Sequence, residues 1–322
     1  MCFILDIKMS TLPVYVAVNK YLLSQTGFGI SANTFLLLFH ILKLLQDRRP
    51  KPTDLTTCHL AFVHIALLIT VLFLFSPELF ELLSFWNDFK CKALFYVNRV
   101  MRGLSICTTC LLSIIQAITI SPSTSWLAQF KNKYTLFILY FFFFFIWLIC
   151  LSFSTSILFH TVATSNVTQT NLMLLTKYCS FSPVSHGFRG LMFTLTTSRD
   201  VFLVEVMLFS SAYMVILLLK HQRRSQHLHS TSLSPRSSPE KRATQTILLL
   251  VTFFVVMYWV DFIISSSSLI LWTYDSVILS VQSVVVHVYA TVSPLVLISS
   301  DKRIFNMLQQ CTTEKLLILT GW

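Results

Sequence analysis

Seven long apolar runs divide this 322-residue sequence, and they restrict its fold more than any other feature. A helix needs about 20 mostly apolar residues to cross the roughly 30 Å hydrocarbon core of a bilayer, and each run reaches that length. Only 11% of the residues are charged, whereas soluble domains average about 25%. We therefore predict an all-α membrane protein, a single seven-helix bundle over residues 1–322. The approximate spans are Tyr21–Leu45, Leu55–Phe75, Ala93–Thr119, Tyr134–Leu158, Thr194–Leu219, Thr244–Leu271 and Val277–Ile298.

Basic residues are distributed unevenly among the connections between these spans. One alternating set of connections contains 15 Lys and Arg residues, and the opposite set contains 7. Because basic residues resist translocation, the richer set is predicted to be cytoplasmic and the N-terminus to lie outside. This orientation explains the net charge of +11 better than a nucleic-acid-binding face does, since the basic residues lie between apolar runs. The sequon at Asn166 falls in an outside connection, where we expect it to carry a glycan.

The positions of the cysteines favour one disulfide and argue against a metal site. Cys91, at the outer end of the third span, and Cys179, in the following outside loop, both lie on the oxidising side of the membrane. They could form a disulfide; two free thiols are the alternative. Cys107 and Cys110 are closest in sequence, but they lie in an apolar run that offers a zinc ion no further ligands. We expect no bound metal ion.

Four charged side chains stand out within the predicted spans, where each costs about 2.5–3.5 kcal/mol at the bilayer centre. Arg99 and Arg102 are three residues apart, so they share one face of the third span. Glu205 in the fifth span and Asp261 in the sixth are the obvious counter-charges. Together with Asn98, these residues predict a polar ligand pocket. The alternative is a set of interhelical ion pairs that fix the bundle, and one residue can do both.

Histidines and aromatic residues within the spans fit a structural role better than a functional one. His64 and His287 lie on apolar faces and are interpreted as hydrogen-bonded core residues rather than as a proton relay. The Phe141–Phe145 run surrounds its helix, so most of it should face lipid. The chain has no Gly-rich phosphate loop, no Gly-x-Ser-x-Gly elbow and no His-Glu-x-x-His motif. We expect neither enzymatic activity nor a cofactor.

Two polar segments are predicted on the cytoplasmic side. His221–Ala243 is basic and contains several Ser and Pro residues, which favours an interaction loop. Asp301–Leu319 mixes apolar and charged residues at helical spacing. This pattern predicts a short amphipathic helix that lies on the inner leaflet.

Three stretches of the sequence carry a specific pattern: Arg102–Leu112 with Gln116–Pro122, then His227–Ser230 with Ser238–Thr244 and Tyr258–Asp261, and finally Ser293–Arg303. In these stretches, and over nearly its whole length, the chain resembles the vomeronasal type-1 receptors, which are seven-helix G-protein-coupled receptors. The resemblance implies a plasma-membrane receptor of sensory neurons that detects small pheromone-like molecules. It also implies activation of an inhibitory-class G protein and no catalytic cofactor.

Compared with rhodopsin-like receptors in general, the sequence keeps some landmarks and lacks others. Asn33 and Trp147 look like retained landmarks. The third span ends with Ile115-Gln116-Ala117 in place of Glu/Asp-Arg-Tyr, and the seventh has Ser293-Pro294-Leu295-Val296-Leu297 in place of Asn-Pro-x-x-Tyr. His64 stands where those receptors have an acidic residue, so the usual carboxylate ligand for sodium is missing.

We therefore expect a chemosensory receptor in which ligand binding to an outward cavity shifts the population of helix arrangements. Its G-protein contact is predicted on the cytoplasmic side, at Gln116, Arg223, Arg224, Lys241 and Arg242. A small transporter or ion channel that uses the intramembrane charges is one alternative, although Gly is scarce and no internal repeat is visible. Another divergent chemosensory receptor, such as a bitter-taste type, is the second alternative.

Overall fold

The computed structural model describes residues 2–46, 51–83, 87–122, 135–163, 173–174, 179–181, 186–228, 239–271, 276–301 and 303–304. Within these residues, seven helical segments are long and apolar enough to cross a membrane, which confirms the predicted seven-helix architecture. In chain order the helices are α1 (Cys2–Gln46), α2 (Pro52–Phe75), α3 (Pro77–Leu82), α4 (Asn87–Ile120), α5 (Thr135–Ser154), α6 (Ile157–His160), α7 (His186–Leu228), α8 (Pro239–Leu271) and α9 (Ser276–Ser300).

Several helix ends differ from the ends of the predicted apolar runs. α5 ends at Ser154 and the short α6 follows it, whereas the predicted fourth span continued to Leu158. α1 already begins at Cys2. α7 runs on to Leu228 and α8 begins at Pro239, so the predicted interaction loop is wrong for residues 221–228 and 239–243, which are helical. The Ser and Pro residues that favour a loop lie mostly at 230–239, and Pro is well tolerated at the first position of a helix.

α4 is the central helix of the bundle. It contacts α2, α5, α7 and α8, and every side chain from Val100 to Ser113 except that of Arg102 is buried. A Cβ atom on Gly103 would lie 3.2 Å from the sulfur of Cys150 and 3.4 Å from Nη1 of Arg199. The missing side chain therefore lets α5 and α7 approach α4 closely, as small residues do in membrane bundles.

α5 is apolar on all sides and lies at the edge of the bundle. Phe141, Phe142, Phe144 and Phe145 are exposed, whereas Phe143 packs against buried residues of α4. A helix that presents so many aromatic rings outward suits a lipid environment. The exposure agrees with the prediction that most of this run faces lipid.

A small antiparallel sheet lies at one end of the bundle, next to the start of α4. Its strands are β1 (Thr161–Ala163), β2 (Met173–Leu174) and β3 (Cys179–Phe181), in the order β1-β3-β2. The central strand β3 pairs Cys179 with Ala163 of β1, and Phe181 with Met173 of β2.

The predicted disulfide between Cys91 and Cys179 is confirmed, with Cα atoms 5.7 Å apart. It ties β3 to the first turns of α4. A second link holds the sheet there, because the backbone N–H of Ala163 donates to Oδ1 of Asp88 at 2.6 Å. We call this part of the bundle the disulfide end.

Two predicted features lie outside the described residues. One is the glycosylation site at Asn166. The other is most of the amphipathic helix predicted over Asp301–Leu319, of which only residues 301, 303 and 304 are described.

Candidate ligand site

A cluster of charged side chains lies inside the bundle, in the half nearer the disulfide end. α4 contributes Arg99 and Arg102, α7 contributes Arg199 and Asp200, and α8 contributes Asp261. We call these five residues the charged cluster. Because each charge lies in an otherwise apolar helix, each needs a partner or access to water.

Arg102 and Asp261 form the ion pair at the centre of the charged cluster and join α4 to α8. Nε2 of Gln282 in α9 donates to the other carboxylate oxygen of Asp261 at 3.0 Å. The side chain of Asp261 is only 7% exposed, whereas that of Arg102 is 40% exposed. The carboxylate of the pair is therefore buried, whereas the guanidinium side chain of Arg102 remains partly accessible.

Two further sets of hydrogen bonds complete the charged cluster. Nε and Nη2 of Arg199 donate to Oδ1 of the neighbouring Asp200 at 2.8 and 2.6 Å. The Arg199 guanidinium also lies over the ring of Phe153, with its carbon 5.6 Å from the ring centre. Nη2 of Arg99 donates to Oγ1 of Thr196 at 3.0 Å, which links α4 to α7. Each of the three arginines is thus held by at least one partner.

An open cavity lies beside the Arg102–Asp261 pair and is bounded by four helices. Its lining is mostly apolar, and its polar groups are the ion pair, a serine and two tyrosines. This composition is typical of small-molecule sites. The lining residues are Leu67, Arg102, Ser105, Ile106, Phe254, Met257, Tyr258, Asp261, Val285, Val286, Tyr289 and Ala290.

A group of uncharged, hydrogen-bonded side chains lies at one boundary of this cavity. Oγ of Ser105 lies 2.8 Å from Nε2 of His64, whose Nδ1 lies 3.1 Å from Oγ of Ser293. The hydroxyl of Tyr289 lies 2.9 Å from Oγ1 of Thr109. We call these five residues the central network. It joins α2, α4 and α9 and confirms that His64, which is fully buried, is a hydrogen-bonded core histidine.

His287 is also a buried residue with a hydrogen bond, but its partner lies in its own helix. Nδ1 of His287 donates to the backbone oxygen of Ser283 at 2.6 Å. The imidazole of His287 therefore differs from that of His64, whose two nitrogens reach two other helices.

The structure brings together some of the predicted pocket residues. Arg102 and Asp261 meet at the cavity, and Arg99 lies about one turn nearer the disulfide end. Asn98 points toward α2, where its Nδ2 donates to Oγ1 of Thr70 at 2.9 Å.

The structure does not bring Glu205 to the charged cluster, so the expected counter-charge at this position is wrong. Glu205 is exposed on the outer face of α7, and the buried carboxylate of this helix is Asp200. Residues five apart on a helix point about 140° apart. Since Asp200 faces the bundle, Glu205 faces away from it.

Sequence reasoning missed two members of the charged cluster, Arg199 and Asp200. Arg199 is one of the 7 basic residues that the charge distribution assigns to the outside connections. The signal that could have found both was their position, since they lie inside the predicted fifth span, Thr194–Leu219. Two adjacent, opposite charges in an apolar run indicate a local ion pair.

A separate ionic group lies at the opposite end of the bundle. Nη2 and Nη1 of Arg303 donate to Oδ1 and Oδ2 of Asp54 at 2.8 and 3.1 Å, and Asp301 also accepts hydrogen bonds from Arg303. Nδ1 of His40 lies 3.4 Å from Oδ1 of Asp54. The hydrogen bonds to Asp54 and Asp301 raise the pKa of Arg303. This group ties the segment after α9 to α1 and α2.

The residues predicted to contact a G protein lie near this same end. Gln116 is buried on α4, so it reaches a partner only if the helices move. Arg223 is exposed on the extension of α7. Arg224 lies next to it, and Lys241 and Arg242 lie in the first turn of α8; the side chains of these three residues are outside the described part of the chain.

The sequence profile of the vomeronasal organ pheromone receptor family matches residues 16–310. The chain belongs to this family. Among similar relatives, vomeronasal type-1 receptor 45 of Mus musculus is 42% identical over 94% of each chain. Vomeronasal type-1 receptor 94 of Rattus norvegicus is 40% identical over 94% of this chain and 92% of its own.

The fold of this vomeronasal receptor is similar to that of squid rhodopsin in its crystal structure. The TM-score is 0.71 at 13% sequence identity, and the match covers 96% of this chain and 88% of rhodopsin. The protein is thus a chemosensory G-protein-coupled receptor with several membrane-spanning helices. Neither the transporter nor the bitter-taste alternative receives support.

Proposed function

We propose that this receptor binds a small pheromone-like molecule in the cavity beside Arg102 and Asp261. The observation that carries the proposal is the openness of this ion pair: Arg102 lies within a membrane-spanning helix, yet 40% of its side chain is accessible. The cavity beside it is mostly apolar and has few polar groups, as expected for recognition of a small organic molecule. Asn98 and Arg99, about one turn nearer the disulfide end, lie beside the route of entry.

The disulfide end is the outer end in this proposal, and the receptor resides in the plasma membrane of a sensory neuron. Three independent features support the orientation. Disulfides form on the oxidising side of a membrane, the basic residues are concentrated in the connections at the opposite end, and the sequon at Asn166 follows β1. The family to which the chain belongs supports the cell type.

Activation requires a ligand that binds one helix arrangement better than another. α8 offers a direct mechanical link, since it is one continuous helix from Pro239 to Leu271. Asp261 at the cavity and Lys241 near its inner end are 20 residues apart, or about 30 Å along the helix. A ligand that separates or tightens the Arg102–Asp261 pair therefore shifts the position of α8 at the cytoplasmic side.

An inhibitory-class G protein is the proposed partner at that side. Arg223, Arg224, Lys241 and Arg242 provide basic charge where α7 and α8 project beyond the membrane. Charges of this kind at the rim of an interface mainly increase the encounter rate and its salt dependence. Gln116 joins the contact once the helices have moved apart.

The proposal is tested first by the accessibility of the cavity. Met257, which lines the cavity, is replaced by cysteine, and a membrane-impermeant thiol reagent is added to intact cells. We expect the Met257→Cys side chain to react. Phe144→Cys, on the exposed face of α5, is the matched control and should remain unreacted because lipid covers it.

The second test uses a G-protein activation sensor and a panel of small neutral, anionic and cationic organic molecules. An agonist found in this panel should protect Met257→Cys from the thiol reagent. It should also lose at least about tenfold in potency on Arg102→Ala or Asp261→Ala at equal surface expression, which corresponds to about 1.4 kcal/mol. Unchanged potency on both variants, or an unreactive Met257→Cys, would reject this cavity as the ligand site.

A further inference from the structure

An ion pair at the end of the bundle opposite the disulfide end has one buried partner and one accessible partner. Asp54 and Arg303 are joined by two hydrogen bonds of 2.8 and 3.1 Å, and we call them the inner pair. The side chain of Asp54 is 5% exposed, whereas that of Arg303 is 37% exposed. The carboxylate is therefore fixed in the protein, and the guanidinium can leave it for water at modest cost.

Asp54 is well placed to hold an arginine. It lies in the first turn of α2, where the helix dipole stabilises a negative charge. Arg303 reaches it from a turn, because the backbone N–H of Arg303 donates to Oδ1 of Asp301 at 2.8 Å. The inner pair thus attaches the segment after α9 to α2.

An apolar contact lies directly beside the inner pair. Ile304 has no exposed surface and belongs to a buried cluster with Leu36 and Phe39 of α1 and Ala61 of α2. The charged side chain and the apolar side chain that follows it are therefore held by the same two helices. The segment after α9 docks as one short unit, and its position depends on the inner pair.

Pro294 divides α9 into a part at the cavity and a part at the inner pair. Tyr289 lines the cavity and Ser293 belongs to the central network, and both precede the proline. A proline has no N–H to bond the carbonyl four residues earlier; here that carbonyl, of Ala290, accepts from Nδ2 of Asn33 at 2.8 Å. Helices bend most readily at such positions. The part of α9 after Pro294 can therefore change its angle while the part at the cavity stays packed.

The described contact between the inner ends of α4 and α7 is uncharged. Oγ of Ser121 in α4 lies 3.0 Å from the hydroxyl of Tyr213 in α7, and Gln116 stands where rhodopsin-like receptors have an arginine. Among the described residues, the ion pairs at this end all include Asp54 or Asp301. The ionic restraint at this end therefore acts on α9 rather than on α4.

We propose that the inner pair is the ionic restraint of the uncoupled receptor. It holds the end of α9 against α2, and it opens when the receptor couples to its G protein. The inference rests on the proposed orientation, in which this end of the bundle is cytoplasmic, and not on the cavity as the ligand site.

The proposal is tested first by ligand-independent signalling, which requires no known ligand. G-protein activation is recorded with sensors for several G-protein classes and is normalised to surface expression. Asp54→Asn and Arg303→Gln each remove one charge of the inner pair. We expect either variant to raise basal activation about tenfold, a shift that corresponds to about 1.4 kcal/mol. Basal activation equal to that of the parent in both variants, at parental surface expression, overturns the proposal.

Lys43→Gln is the matched control for this measurement. It removes one positive charge from the inner end of α1, but Nζ of Lys43 lies 3.5 Å from Oε1 of Gln46 in its own helix. We expect unchanged basal activation in this variant. A rise equal to that of Arg303→Gln would show that total charge, rather than the inner pair, sets the basal level, and it would also overturn the proposal.

The second measurement follows the inner pair with both of its charges intact, so it also decides the case in which neither charge variant reaches the surface. Spin labels are attached to Lys51→Cys and Lys302→Cys, close to the two partners in the sequence, in a Cys311→Ser background. We expect a second, longer distance between the labels when nucleotide-free G protein is bound. The label pair Gln46→Cys/Lys51→Cys, at the connection between α1 and α2, is the control and should keep its distance. Identical distances between the Lys51 and Lys302 labels with and without G protein overturn the proposal.

The attachment of the labels separates this inference from the proposed orientation. A membrane-impermeant thiol reagent should reach both labelled positions in inside-out vesicles and not on intact cells. Reaction on intact cells alone would place the inner pair outside the cell, which rejects the orientation and the inference together. Unchanged distances after labelling in inside-out vesicles would reject the inference alone.

Discussion

The charged cluster and the central network are two polar regions of the same helix bundle, and they are built in opposite ways. The charged cluster contains arginines and aspartates; two of them, Arg102 and Asp261, line the open cavity, and the side chain of Arg102 is 40% exposed. The central network contains only uncharged groups, and His64 within it has no exposed surface. The side chain of Arg102 is thus accessible from the cavity, whereas the central network is built from buried, neutral hydrogen-bonding groups.

Desolvation explains this difference. Burying an ionised group costs far more than burying a hydroxyl or imidazole that is hydrogen-bonded. A fully satisfied neutral network is rigid and specific, so the central network is suited to hold α2, α4 and α9 in place. An open ion pair can exchange its partner for a ligand, so the charged cluster is suited to respond.

Removing the disulfide should have the largest effect on stability, because it anchors the end of the bundle that contains the charged cluster. Cys91→Ser is expected to lower the free energy of unfolding by about 2–4 kcal/mol and to reduce surface expression. Thermal unfolding in detergent measures the loss. The Cys91→Ser/Cys179→Ser double variant should be no worse than either single variant; a clearly additive loss would show that the two cysteines act separately.

Replacement of His64 tests the central network directly. His64→Leu leaves the hydroxyls of Ser105 and Ser293 without this partner, and a loss of about 1–3 kcal/mol is expected for unsatisfied buried groups. His287→Leu is the matched control, since the hydrogen bond of His287 stays within its own helix. We expect a smaller fall in melting temperature for the control. An equal fall in melting temperature for both variants would mean that the hydrogen bonds of His64 to other helices add nothing to stability.

Breaking the Arg102–Asp261 pair should lower stability less than replacing His64 does, but it should affect signalling more. Because Arg102 is partly exposed, a loss of only about 1–2 kcal/mol is expected for Asp261→Ala, but agonist potency should fall strongly. The charge-reversed double variant Arg102→Asp/Asp261→Arg should recover stability without recovering potency. Recovery of both would show that the pair is purely structural.

Removal of the sequon should leave stability unchanged and decide which end of the bundle faces outward. Asn166→Gln should abolish a glycosidase-sensitive gel shift, and Asn171→Gln, a nearby asparagine that is not in a sequon, should preserve it. If the parent protein shows no such shift, or if an epitope within residues 221–243 is labelled on intact cells, the orientation is reversed and the cavity opens to the cytoplasm.

Much of the architecture could be predicted from the sequence alone. Seven apolar runs require seven spanning helices because hydrocarbon leaves no water to pair with the backbone. The free-energy cost of placing an ionised group in the membrane also identified Arg99, Arg102 and Asp261 as candidate site residues, since such groups are rare in membrane spans. The family resemblance rested on local stretches such as Tyr258–Asp261, which a linear sequence displays directly.

The tertiary structure decided which face of each helix turns inward. Asp200 and Glu205 are equally conspicuous in the sequence, but only packing shows that Asp200 faces the charged cluster and Glu205 faces outward. The hydrogen-bond partners of His64 likewise could not be identified from the sequence, because Ser105 and Ser293 are 41 and 229 residues away from it along the chain. Hydropathy reports how deep a residue lies in the membrane, whereas the direction of its side chain depends on neighbours that only the folded bundle brings together.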